Sequence, residues 1–210
     1  MTIHYFHQPL VTKFMPKLIV ATSNPGKLRE MQAYLSGSSW ELSLKPAELD
    51  VDETGTTFAT NACLKASEVA IALNEWAIAD DSGLQVDALN GAPGIYSARY
   101  ADTDKARIDR LLQELADFPE PHQRQAQFVC AVAVARPDGT IVAQAEGICR
   151  GEILTAPRGV DGFGYDPIFY VPSKQLAFAE MSVETKRSIS HRGIAFGIIT
   201  QKLAEIAAGE

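Results

Sequence analysis

Apolar positions along this chain switch between two periods, and the residues with chemistry sit where the period changes. Lys17 to Ala21 is a short apolar run that begins after Met15-Pro16. Leu28, Met31 and Leu35 then recur at helical spacing behind Asn24, which suits a cap, and Pro25, which suits a first helical turn. Strand, basic turn and helix are predicted in that order. Trp40 to Lys45 alternates as a strand, and a polar loop through Glu53-Thr54-Gly55 leads to a long helix from about Phe58 to Leu73. Thr57, Asn61 and Lys65 fall four apart and share one face of it. A buried strand from Trp76 to Ala79 is expected to end on Asp80-Asp81.

Gly91-Ala92-Pro93-Gly94 interrupts regular structure, and an ordered loop from Ile95 to Tyr100 follows. Ile108, Leu111, Leu112 and Leu115 mark an amphipathic helix. Residues 126 to 135 and 140 to 149 read as two strands joined by Pro137-Asp138-Gly139, a hairpin turn that makes the sheet mixed. Gly159 to Asp166 is a glycine-rich loop, Ile168 to Val171 a short strand, and a terminal helix opens near Ser190. The predicted class is α/β, a mixed central sheet with flanking helices and two lobes around an active-site cleft. Residues 15–210 are expected to form a single domain and residues 1–14 a separate tail, with Met15 an alternative start.

A chain of 210 residues buries a large core. Its formal charge of −7 gives no electrostatic footprint for a nucleic-acid backbone, so an anionic substrate must be held by a few cations and a metal. Three widely spaced cysteines, Cys63, Cys130 and Cys149, form no CxxC pair and read as reduced packing residues, which suits the cytoplasm. No apolar run reaches the roughly 18 residues of a membrane span. His4 and His7 have no third ligand and are assigned no metal.

The turn Thr22-Ser23-Asn24-Pro25-Gly26-Lys27 puts a helix N-terminus beside a full positive charge, a natural phosphate cradle, although an ordinary capped helix with a surface lysine has the same pattern. It is not a Walker A loop, since Ala21 stands at the first glycine position and Leu28 follows the lysine. Glu53 and Asp81 supply the hard oxygens that magnesium takes. Adjacent strand residues point oppositely, so at most one of Asp80 and Asp81 faces a metal directly. Lys65 can reach a phosphate from the face it shares with Asn61, or be solvated. Lys186, His191 and Arg192 bring donors to a helix start, where they could read a purine edge or form an exposed basic pair. Phe163-Gly164-Tyr165-Asp166 offers an aromatic platform, or a glycine loop around a core aromatic. Gly162-Phe163-Gly164 lacks the third glycine of a dinucleotide fingerprint.

Five blocks in order resemble the inosine triphosphate pyrophosphatase family, in its bacterial dITP/XTP branch. They are Ala21 to Lys27; Glu53-Thr54-Gly55 with Asn61 to Ala66; Asp80 to Leu84 continuing to Tyr96-Ser97-Ala98-Arg99; Gly162 to Pro167; and Lys186 with Ser190-His191-Arg192. The resemblance implies magnesium-dependent hydrolysis of deaminated purine nucleoside triphosphates (ITP, dITP, XTP) to monophosphate and pyrophosphate, by a homodimer. It implies that Thr22, Ser23, Asn24, Pro25, Gly26 and Lys27 hold the triphosphate with Lys65, and that Glu53 and Asp81 bind the metal. Asp81 would be the proton acceptor and Ser82 would touch substrate. Phe163 would stack on the base, Gly164, Tyr165 and Asp166 would shape its pocket, and Lys186, His191 and Arg192 would read its edge. The rivals are a septum-inhibitor-like nucleotide pyrophosphatase, against which Ser190-His191-Arg192 and the Phe163 loop argue, and a nucleotide-binding regulator without catalysis.

Overall fold

In the computed structural model, residues 15–209 are described. The expected tail, residues 1–14, lies outside them, and His4 and His7 with it. The strands are β1 (Lys17–Val20), β2 (Glu41–Leu44), β3 (Trp76–Val86), β4 (Gln125–Ala135), β5 (Ile141–Ile153), β6 (Phe169–Val171) and β7 (Leu176–Ala177). The helices are α1 (Pro25–Leu35), α2 (Phe58–Leu73), α3 (Asp104–Glu114), α4 (Val183–Ile189) and α5 (His191–Gly209). One sheet runs β2-β1-β3-β4-β5-β6-β7. β1 pairs parallel with both β2 and β3, and every pairing from β3 onward is antiparallel, so the sheet is mixed as expected.

Local chemistry accounts for the boundaries. Asn24 Oδ1 accepts from the amides of Gly26 and Lys27 to open α1, with Pro25 at the first turn. α2 opens on a capping box between Thr57 and Thr60 and closes on Asn74 in the left-handed region, which asparagine tolerates.

β3 departs from expectation. It does not stop at Ala79 but continues to Val86, with Asp80 opposite Val132 and Asp81 opposite Ala131. Ladder hydrogen bonds belong to the backbone, so a polar interruption ends a strand only if its side chains find no partners, and here both carboxylates find them. The segment expected as a loop after Gly94 is a 3-10 helix from Gly94 to Arg99. The short α4 and β7 were not anticipated.

Strand alternation splits the core. Leu18, Val20, Ile78 and Val132 pack on one face against Met31 and Leu35 of α1 and Phe196 and Ile199 of α5. Ile19, Ala77, Ala79 and Ala131 pack on the other under Ala62, Ala66 and Val69 of α2. A third cluster at the far end of β3 gathers Leu84, Val86, Phe128, Phe169 and Phe178 with Ile108 and Leu111 of α3. Asp80 to Gly83 lie between the first pair of clusters and the third, where the site is built. Among the described residues no helix is long and apolar enough to cross a membrane.

Candidate active site

Because β3 alternates, Asp80 and Asp81 enter different surroundings. Asp80 faces α1 and α5, where its Oδ2 lies 3.2 Å from Arg192 Nη2 and 3.4 Å from Lys27 Nζ. Burial alone would raise this carboxyl, but Lys27, Arg192 and Lys65 outweigh it and hold the group well below the usual carboxylate range. Asp81 faces α2. Its Oδ2 accepts from Asn61 Nδ2 at 3.1 Å, its Oδ1 accepts from the Ser82 amide at 3.0 Å, and Lys65 Nζ stands 3.6 Å away. Burial, reinforced by the nearby Glu53 charge, pushes the Asp81 carboxyl up despite Lys65 and Lys27. That is the direction that favours accepting a proton.

Glu53 joins Asp81 through the same ammonium: Lys65 Nζ lies 2.6 Å from Glu53 Oε1. Asn61 fixes the loop that carries Glu53, since its Oδ1 accepts from the Gly55 amide at 2.8 Å while its amide end serves Asp81. A Cβ at Gly55 would sit 2.5 Å from that oxygen, so the block Glu53-Thr54-Gly55 requires its glycine. Arg99 Nη2 adds a second cation 3.5 Å from Glu53 Oε2.

The basic turn differs from expectation in one respect. Three of its amides are already engaged: those of Gly26 and Lys27 donate to Asn24 Oδ1, and that of Asn24 donates to Thr22 Oγ1 at 3.2 Å. What the turn presents is hydroxyls, the Lys27 ammonium and the positive end of the α1 dipole.

Two cavities meet at this turn. One, of about 510 Å³, is lined by Thr22, Ser23, Lys65, Glu53 and Asp81, and also by Asp50, Asp52, Lys45 and Arg99. The other, of about 270 Å³, is lined by Pro25, Gly26, Phe163, Gly164, Tyr165, Asp166, Lys186, His191 and Arg192, with Phe128, Asp104 and Arg107. Asn24, Lys27, Ser82 and Ala98 line both. Every site residue expected from the sequence therefore borders one of these two connected spaces.

The aromatic cavity is held by a chain of charges. Lys186 Nζ lies 2.7 Å from Asp166 Oδ2 and 3.1 Å from Glu30 Oε1, and Arg192 Nη1 pairs with Glu30 Oε2. Arg192 Nη2 also donates to Ser82 Oγ at 2.8 Å. Burial alone would raise the Glu30 carboxyl, but Arg192 and Lys186 outweigh it and keep it charged. Phe163 packs so closely on Gly26 that a Cβ there would lie 2.8 Å from its ring. Lys186 Nζ stands 5.2 Å from the same ring centroid.

His191 is buried and stacked on Phe128 at 4.6 Å, with burial and the neighbouring cations holding its imidazole neutral, well below 6.5. Its Nδ1 has no hydrogen-bond partner among the described residues. Tyr165 is a core residue whose hydroxyl donates to the Ser97 carbonyl at 3.0 Å.

Glu30, Arg99, Asp104 and Arg107 were missed as site residues. Glu30 had a signal, being one helical turn from Lys27. The others come from a segment whose turn chemistry gave no direction.

The sequence profile of the Ham1 family matches residues 18–202. A protein of Nostoc sp. named dITP/XTP pyrophosphatase is 71% identical over 187 residues, 89% of this chain and 94% of that protein. One of Synechocystis sp. with the same name is 61% identical over 182 residues, 87% of this chain and 92% of its own length. Among solved structures, a HAM1 protein from Coxiella burnetii aligns with a TM-score of 0.83 at 40% identity, covering 91% of this chain and all of the other.

Proposed function

This chain belongs to the Ham1 family, and from that membership we propose that it hydrolyses deaminated purine nucleoside triphosphates (ITP, dITP, XTP) to the monophosphate and pyrophosphate. The observation that carries the reading is the junction of the two cavities at Lys27 and Ser82: one is lined by carboxylates and cations, the other by aromatic rings and donors. A nucleoside triphosphate has that same division between phosphates and base.

Glu53 and Asp81 are the residues that would hold magnesium. Their oxygens already share one cation, the Lys65 ammonium, and two carboxylates completed by water and phosphate oxygens suit this ion. When bound, it supplies charge neutralisation for the triphosphate and a more acidic attacking water.

The protein's own groups do the rest. Thr22, Ser23, Asn24, Pro25, Gly26 and Lys27 hold the phosphates together with Lys65, using ammonium charge and the α1 dipole. Asp81, with its raised carboxyl, takes the proton of the water that attacks the α-phosphorus, and pyrophosphate leaves. Asn61 and the Ser82 amide keep that carboxylate in one orientation, which lowers the entropic part of the barrier. Ser82 borders both cavities and touches substrate at their junction. Phe163 stacks on the base in the pocket shaped by Gly164, Tyr165 and Asp166, and Lys186, His191 and Arg192 read its edge. The orphan Nδ1 of buried His191 supports this, because such an atom wants a partner that a ligand would bring.

The reading extends to a single catalytic domain acting as a cytoplasmic homodimer. Pyrophosphate release from ITP and XTP, with and without magnesium, tests it. Binding of ITP without release of pyrophosphate would instead make the chain a nucleotide-binding regulator.

A further inference from the structure

Besides its backbone hydrogen bonds, the loop that carries Phe163 is held by four ties that involve side chains, and one of them is unlike the rest. The Phe163 amide donates to Asp166 within the loop, Tyr165 reaches the Ser97 carbonyl through the core, and buried Asp166 pairs with Lys186. The fourth tie joins two residues that line the base cavity: the Gly164 amide donates to Asp104 Oδ2 at 2.8 Å. Asp104 begins α3, sixty residues away in the chain, and lines the same cavity.

Asp104 is itself held. Arg107 Nη1 donates to its Oδ1 at 2.7 Å, and Arg107 Nε anchors to the Ala101 carbonyl at 2.8 Å. The carboxylate thus spends one oxygen on a fixed guanidinium and the other on the loop. The Asp104 side chain is 48% exposed, whereas Asp166 and Tyr165 are buried, so this is the one tie of the four that solvent can readily replace. Gly164 has a positive φ of 61°, which glycine adopts without strain, and open space where a side chain would be.

We infer that Asp104, oriented by Arg107, is a positioning residue that latches the Phe163 loop over the base, so that α3 sets how firmly a purine is held. The inference rests on the proposed function, in which Phe163 stacks on the base. The latch touches the loop's backbone and neither the phosphates nor the water, so it acts on base binding and leaves the chemical step alone.

The test compares the native protein with Asp104→Ala and Asp104→Asn. Alanine removes the acceptor, whereas asparagine keeps one oxygen for the Gly164 amide. Asp104→Ala should raise KM for ITP about fivefold with kcat within about twofold, the factor carried by one hydrogen bond of ordinary net worth. Asp104→Asn should recover only part of that loss, because its single oxygen is contested by Arg107 and the Gly164 amide. Inhibition by inorganic tripolyphosphate, which has no base, should be the same in all three proteins. Hydrogen exchange at residues 162–165 in nucleotide-free protein should be faster in Asp104→Ala and intermediate in Asp104→Asn.

An unchanged KM in Asp104→Ala, or a parallel loss of tripolyphosphate affinity, overturns the latch. Native protein that releases no pyrophosphate from ITP overturns the proposed function instead, and the exchange rates at 162–165 still decide whether the tie holds the loop.

Discussion

Asp80 and Arg192 pair at 3.2 Å with both side chains sealed from solvent, joining the middle of β3 to the first turn of α5. This pair divides the labour between the two neighbouring aspartates. Asp80 is committed to Arg192 and Lys27 and stays charged, while Asp81, one residue along and on the other face, borders the cleft with a raised carboxyl. Asp81→Asn should therefore fold normally and lose more than ~100-fold in turnover, because the amide is neither a base nor a full charge. Asp80→Asn should instead destabilise the fold by about 3 kcal/mol, since it takes the buried carboxylate away from Arg192, which keeps Glu30, and from the half-buried Lys27. Melting temperature and turnover measured on both variants separate the roles.

His191 gives the protein an acid-sensitive element. Burial keeps its imidazole neutral in the folded state, well below 6.5, whereas in the unfolded chain it titrates at the ordinary value. Below about pH 6.5 the unfolded state takes up a proton that the folded state refuses, so this contribution is complete above that pH and is lost as pH falls, by up to about 1.4 kcal/mol per unit. His191→Phe, which keeps a ring on Phe128, should flatten the fall in melting temperature between about pH 7 and 5. A variant as acid-sensitive as the native protein would assign that loss to other groups.

Gly26→Ala probes the contact between the Thr22 to Lys27 turn and the Phe163 loop. Alanine favours the helix, yet its Cβ would stand 2.8 Å from the Phe163 ring, so the ring must move. The expected result is an unchanged or slightly raised melting temperature with KM for ITP raised roughly tenfold. A native KM would show that Phe163 is displaced on substrate binding in any case.

The sequence made some of this legible for definite reasons. α2 runs from Phe58 to Leu73 as expected because capping chemistry at Thr57 and a left-handed asparagine at its end are local signals. The opposed facing of Asp80 and Asp81 also followed from strand alternation alone. The length of β3 did not, because Asp80 to Gly83 read as a terminus and only pairing with β4 carries the strand through them. At the turn Thr22 to Lys27, Asn24 was recognised as a cap, and that cap takes up the Gly26 and Lys27 amides that an uncapped helix start would leave open. Glu30, which ties Lys186 to Arg192, and Asp104, which meets Gly164, act across 156, 162 and 60 residues of chain, beyond any local pattern.

The central claim is that the aromatic cavity selects a 6-oxo purine without a 2-amino group, and turnover efficiency for ITP, XTP, GTP and ATP measures it most directly. Lys186, His191 and Arg192 border the cavity as donors, so adenine would set its own amino donor against them, a mismatch that discriminates by ~10⁴ or more in a buried site. Guanine keeps the 6-oxo group but brings a 2-amino group that must be desolvated within the Phe163 to Asp166 pocket. The account predicts high efficiency on ITP and XTP, low efficiency on GTP and ATP, and loss of that preference in Arg192→Ala. Equal efficiency on ATP and ITP in the native protein would contradict it.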